Sequence, residues 1–205
     1  MKSILDAPVI LASASPRRFE LLKNAGIIFE VYTSHAEEIK NQDVSVKMLC
    51  ELNAKRKASW VAQKFSDRLV IGADTLVTMG GKIYGKPYDK EDAIKNLLEL
   101  QGRTHSVITG VALLCEMHCF EKLFHVETKV VLKELSENQI LRYYEKVNPL
   151  DKAGGYAIQE YGDMIIDHID GSYSNVMGLP IVELKMQIES IKNNLEKINN
   201  GDNIL

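Results

Sequence analysis

The chain has 205 residues, 45% of them apolar and 26% charged, with a formal net charge of −3. That length and balance describe one large domain or two intimate lobes with their own core, and they exclude a disordered chain. The slight acidic excess excludes a general nucleic-acid coat, which needs a basic surplus to displace counterions, but leaves room for a local basic cleft.

Pro8 to Ala12 is a short apolar strand candidate. A helix follows from about Pro16 to Ala25, with Ser15 as N-cap, Pro16 as a first helical residue and Gly26 as terminator. Ile28 to Tyr32 reads as a second strand. Val46 to Phe65 reads as a long amphipathic helix, with Met48, Leu49, Leu52, Ala58 and Val61 on its apolar side. Leu69 to Ala73 is a continuous apolar run, as in a buried central strand, with Asp74 at its C-terminal end. Gly80-Gly81 suggests a hairpin. Lys90 to Leu100 is a helix candidate stopped by Gly102. Ser106 to Leu114 and Lys122 to Leu132 are strand candidates. Ser136 caps a helix over Gln139 to Lys146, and Gly154 to Ile158 and Met164 to Ile169 read as further strands. The last helix runs from Ile181 to Ile198. Leu184, Ile188, Ile191, Leu195 and Ile198 form a stripe too short for a coiled coil, so it is expected to lie on the sheet. The pattern predicts an α/β domain with a mixed sheet.

Compartment signals point one way. Cys50, Cys115 and Cys119 are an odd, sparse set that fits a reducing compartment better than a disulfide framework. Cys115, His118 and Cys119 resemble a zinc cluster, but no second ligand pair follows, and small residues at a strand end are the simpler reading. Ile4 to Ala14 ends in Ala12-Ser13-Ala14, like a signal-peptidase site, yet Asp6 and Pro8 break the run. No run approaches the ~18 apolar residues of a membrane span. A cytoplasmic protein is expected.

Chemistry concentrates in a few segments. Ser13 to Arg18 lies between a strand and a helix, where free amides and two guanidiniums suit an anion. From spacing alone it reads equally well as a solvated arginine pair. Asp74-Thr75 sits where a cleft opens in an α/β sheet, so Asp74 is a candidate metal ligand or proton acceptor. A turn aspartate bonded to its own backbone is the plainer alternative. Glu37 and Glu38 offer a second carboxylate. Gly85-Lys86-Pro87 is a weak phosphate signal, and the Asp151–Gln159 and Gly171–Pro180 segments combine glycines with polar residues. The histidines show no paired metal spacing, and no G-x-S-x-G elbow is present.

Together these pieces resemble the Maf family. They are Leu11-Ala12-Ser13-Ala14-Ser15-Pro16-Arg17-Arg18, Ala54 with Lys57-Ala58, Ile71-Gly72-Ala73-Asp74-Thr75, Gly85-Lys86-Pro87, Thr109-Gly110-Val111, Asp151-Lys152-Ala153-Gly154 with Gln159, and Gly171-Ser172-Tyr173 with Gly178-Leu179-Pro180. The resemblance, which spans about residues 9 to 184, implies a mixed twisted sheet with flanking helices and two lobes around a cleft, related to the inosine triphosphatases. One such domain is expected over residues 1–198, and 199–205 reads as a polar tail. It implies hydrolysis of dTTP and UTP to the monophosphate and pyrophosphate with Mg²⁺ or Mn²⁺, in a homodimer without membrane or stable nucleic-acid contact. By motif, Asp74 is the proton acceptor, and Glu38 and Asp74 are linked to the metal. Ser13, Arg17, Lys57 and Lys86 face the phosphates, while Arg18, Thr75 and Gln159 set base specificity. A 7-methyl-GTP pyrophosphatase and a non-catalytic regulator of septum formation are the alternatives. His35 replaces a common family aspartate, and Ala157 and Glu160 stand where glycine is common.

Overall fold

Runs of apolar residues without alternation mark strands covered on both faces, and the centre of this sheet is built from two of them. A computed structural model describes residue 4 and residues 7–40 and 43–199. The elements are β1 (Val9–Leu11), α1 (Pro16–Asn24), β2 (Phe29–Val31), α2 (Val46–Ala62), β3 (Val70–Met79), β4 (Lys82–Tyr84), α3 (Lys90–Leu100), β5 (Thr104–Cys115), β6 (Phe120–Leu132), α4 (Glu137–Tyr144), β7 (Ile166–Asp170), α5 (Tyr173–Val176) and α6 (Ile181–Asn199). The described strands form one seven-stranded mixed sheet in the order β2-β1-β3-β5-β6-β7, with β4 paired to β3. β1 lies parallel to β2 and β3, and the rest is antiparallel. The expected mixed α/β sheet with flanking helices is therefore present.

The strand period of two divides β3 cleanly. Val70 packs with Ile10, Ala112 and the α2 residues Ala54, Ala58 and Val61 on one face. Ile71 and Ala73 pack with Leu22, Val111, Leu113 and the α6 residue Leu184 on the other. A third cluster gathers Val77, Val107 and Val130 with Leu97 and Leu100 of α3 and Ile140 and Tyr143 of α4. It forms the core at the far ends of the same strands.

Helix α2 sits unusually close to the sheet because two glycines make room. A Cβ at Gly72 would stand 2.2 Å from the Ala54 carbonyl oxygen, and one at Gly110 would stand 2.4–2.6 Å from backbone atoms of Cys50 and Glu51. This approach brings the polar residues of α2 onto the middle of β3.

Several expectations need correction. Asp74 does not end its strand, since β3 continues to Met79, where the Gly80-Gly81 turn joins it to β4. What ends there is the neighbour: β1 pairs β3 only at Val70 and Ile71, while β5 continues alongside to Thr78. Gly154 to Ile158 is not a strand. Ala153–Gly155 is a short 3-10 turn with Gly154 and Gly155 at positive φ, a conformation a ladder does not accept. Met48 is exposed rather than apolar core, because Cys50, Asn53 and Ala54 take the buried side of α2. Ser15 starts α1 in extended backbone but makes no side-chain cap. The last helix lies on the sheet, with Leu184 and Ile191 buried. The side chains of Leu195 and Ile198, and the tail beyond residue 199, fall outside the described residues.

His105 on β5 is buried, with Nε2 2.6 Å from the Tyr156 hydroxyl. Burial pushes its pKa down from 6.5 to about 4. The folded chain thus refuses a proton that the unfolded chain accepts, so stability falls as pH drops through that window. Denaturant unfolding should lose about 3 kcal/mol between pH 6.5 and pH 4 on this account. His105→Gln should flatten that slope, and an unchanged slope would remove His105 as its source.

Candidate active site

Where β1 stops, the edge of β3 is left open between the two cores. A cleft of about 760 Å³ occupies the gap. All nine predicted residues line it: Ser13, Arg17, Arg18, Glu38, Lys57, Asp74, Thr75, Lys86 and Gln159. They arrive from the β1–α1 turn, the first turn of α1, the loop before α2, α2, β3, the turn after β4 and the segment before β7.

Because successive strand residues point oppositely, Asp74 and Thr75 serve different faces. Asp74, buried, looks toward α2. Its Oδ1 accepts from the Lys57 ammonium at 2.6 Å, and its Oδ2 from Asn53 Nδ2 at 3.4 Å. The same ammonium donates to Glu38 Oε1 at 2.7 Å. Burial works against the charged form of Glu38. The Lys57 hydrogen bond and charge, with Lys86 and Arg18 behind them, nonetheless hold its carboxyl below the ordinary range.

Thr75 looks toward α1. Its hydroxyl accepts from Arg18 Nη2 at 3.0 Å and lies 3.0 Å from the Thr109 hydroxyl. Arg18 also donates to the Gly178 carbonyl at 2.8 Å and to Ser13 Oγ at 3.2 Å. Burial lowers the pKa of this guanidinium, with Asp74 opposing the shift. Its hydrogen-bond partners are neutral oxygens, so its charge remains available to an anion. Gly178 sits at φ +113°, which only glycine accepts readily, and its carbonyl is thereby aimed at Arg18.

The cations are not equivalent. Arg17 pairs with Asp151 across the cleft, at 2.7 Å to Oδ2 and 3.1 Å to the main-chain oxygen. Lys57 is held by its two carboxylates, and Lys86 is exposed at the rim. Ser15 gives α1 no side-chain cap, so the first-turn amides beside Arg17 and Arg18 lack that partner.

Sequence reasoning missed several supporting residues. Asn53 is buried, accepts the Ile39 N–H at 2.7 Å and donates to the Ile39 carbonyl at 3.1 Å. It therefore pins the Glu38 loop to α2. Its spacing of four before Lys57, on a helix face otherwise apolar, was the available signal. Thr109 and Asn175 support Thr75 from below, with Thr109 Oγ1 donating to the Asn175 carbonyl at 3.1 Å. Lys152 is buried between Asp151 and Glu160. His35 stacks edge-on against Trp60 at 5.2 Å.

Two carboxylates that share one ammonium form an oxygen donor pair of the kind Mg²⁺ accepts beside phosphate and water. Among the described residues no group of three or more His, Cys, Asp or Glu side chains suits a metal. The remaining ligands would have to come from substrate and solvent, and the donor set fits a hard cation carried with a nucleotide.

Residues 8–191 match the family model described as Maf-like protein. A dTTP/UTP pyrophosphatase of Desulforamulus reducens is 47% identical over 177 residues, covering 86% of this chain and 93% of the relative. One from Akkermansia muciniphila is 47% identical over 174 residues, covering 85% and 91%. One from Caldicellulosiruptor bescii is 40% identical over 193 residues, covering 92% and 97%.

Proposed function

The chain belongs to the Maf family, and from that premise we propose that it is a nucleoside triphosphate pyrophosphatase acting on dTTP and UTP. One observation carries the reading: a single cleft gathers the Glu38–Asp74 carboxylate pair, the four predicted cationic side chains and a polar pocket on opposite faces of one open strand edge. Relatives named for this activity at 40–47% identity support it.

The reaction is attack of water on the α-phosphorus, with the α–β anhydride bond breaking and pyrophosphate leaving. Asp74 holds the water and takes its proton at a carboxylate oxygen. Asn53 and Lys57 fix the orientation of that carboxylate. Arg17, Lys86 and the uncapped first turn of α1 bind the β- and γ-phosphate oxygens and stabilise the leaving charge. Lys57, held between Glu38 and Asp74, would be free to join them where those carboxylates hold a divalent ion. Ser13 steadies the turn, where its Oγ accepts the Ser15 N–H at 3.2 Å. A divalent ion, Mg²⁺ or Mn²⁺, bound at Asp74 and Glu38 would supply polarisation of the phosphoryl group and a more acidic water. Arg18, Thr75 and Gln159 face the base.

The same reading takes the enzyme to be a cytoplasmic homodimer, with residues 1–198 as one two-lobed unit and no membrane or stable nucleic-acid partner. Free Cys50, Cys115 and Cys119 support a reducing compartment. No helix among the described residues is long and apolar enough to cross a membrane. Light scattering behind size exclusion reads the assembly.

A nucleotide panel tests the activity. Purified protein with Mg²⁺ or Mn²⁺ should convert dTTP and UTP to monophosphate and pyrophosphate, resolved by chromatography. Turnover confined to 7-methyl-GTP would overturn the base assignment. Folded protein that turns over no nucleotide would favour the regulatory binder.

A further inference from the structure

We propose that Glu160 is a specificity-positioning residue: it locks the Gln159 amide with its carbonyl oxygen toward the cleft, and so selects uracil and thymine over cytosine. The proposal rests on the pyrimidine nucleotide reading above and adds the chemical rule by which the base is chosen.

The lock is built from charges. Gln159 Nε2 donates to Glu160 Oε1 at 3.0 Å. The other Glu160 oxygen lies 3.4 Å from the ammonium of Lys152. Lys152 is only 5% exposed, and it also donates to the Asn148 carbonyl at 2.9 Å and to Asp151 Oδ1 at 2.8 Å. A carboxylate paired with an ammonium has no proton to give and only accepts. The NH₂ end of Gln159 must therefore face Glu160, and the carbonyl end must face away. That carbonyl oxygen, Oε1, is buried and has no hydrogen-bond partner among the described residues. Gln159 lines the cleft. The wall thus holds an unpartnered acceptor of fixed orientation, covered in the free protein, which an N–H from a ligand would satisfy once it seats against Gln159.

Uracil and thymine carry one N–H on the pairing edge, at N3 between two carbonyls. Cytosine carries a lone pair at N3. The acceptor that is satisfied by one base confronts a lone pair in the other, and a buried acceptor left unpaired is expensive. Cytosine's amino group reaches Oε1 only if the base shifts from the pose its triphosphate fixes. Glycine at position 160 would leave the Gln159 amide free to turn, so the discrimination belongs to this chain's own residue.

The test is equilibrium binding by calorimetry of the non-hydrolysable α,β-imido analogues of UTP and CTP with Mg²⁺. Wild-type protein should prefer the UTP analogue. Glu160→Gln, whose amide can present either end to Gln159, should reduce the UTP-to-CTP affinity ratio about tenfold. In a Gln159→Ala background the same change should leave the ratio unmoved, which a merely structural role of Glu160 would not produce. A wild-type protein without preference, or a ratio unchanged by Glu160→Gln, would overturn the proposal. A wild-type preference that is lost in Glu160→Gln while no nucleotide is hydrolysed would sustain it and sink the pyrophosphatase reading instead.

Discussion

Asp74→Asn is expected to lower kcat on dTTP and UTP by roughly 10²–10⁴-fold, the range for removing a general base. The fold should survive. Asparagine keeps the size of the side chain, and Lys57 keeps its second carboxylate, since Glu38 lies 2.7 Å from the ammonium. At saturating Mg²⁺ the nucleotide should bind at least as well as before, because a negative charge has left a site for polyanions while Glu38 remains to hold the cation. The effect therefore belongs in kcat and not in KM. Steady-state kinetics with a thermal melt on the same preparation decide the matter. A melting temperature that collapses with the activity would make Asp74 a structural residue. A kcat within a few-fold of wild type would remove it as the proton acceptor.

Gly110→Ala is expected to be strongly damaging although it lies away from the chemistry, at about 3 kcal/mol, or roughly 6–12 °C in Tm for a chain of this size. The new methyl group would overlap backbone atoms of Cys50 and Glu51 at 2.4–2.6 Å. Backbone cannot swing aside as a side-chain tip can, so α2 would have to lift. Asn53 and Lys57 ride on that helix, and their contacts with Asp74 would lengthen with it. The folded fraction should lose activity as well as stability. Gly80→Ala is the contrast: its φ is +59° but nothing lies within 4 Å, so only backbone strain of about 1 kcal/mol is expected. Equal losses at the two positions would show that close approach of α2 is not what Gly110 provides.

Local order was legible in the sequence because local rules wrote it. The apolar runs at Leu69–Ala73 and Ser106–Leu114 had to be covered strands, Gly80-Gly81 had to be a hairpin, and the end of α3 followed from Gly102. The motif order from Leu11 to Pro180 identified the family, and with it the nine residues that the fold collects in one cleft.

Pairing was not legible, because it depends on distances between segments far apart in the chain. Nothing in Gly72 or Gly110 announces that a helix lies against them; that is decided when α2 docks. Nothing in Asp74 announces that its strand continues while the neighbouring strand stops. Lys57 reads as a phosphate cation, yet packing sets it between two carboxylates. Arg17 reads the same way, yet it meets Asp151 from the other side of the cleft. Sequence by itself determined the family and the residue types the chemistry needs. Tertiary structure alone decided which charges are satisfied within the protein and which stand open to substrate, because burial and neighbours, not residue type, set the availability of a charge.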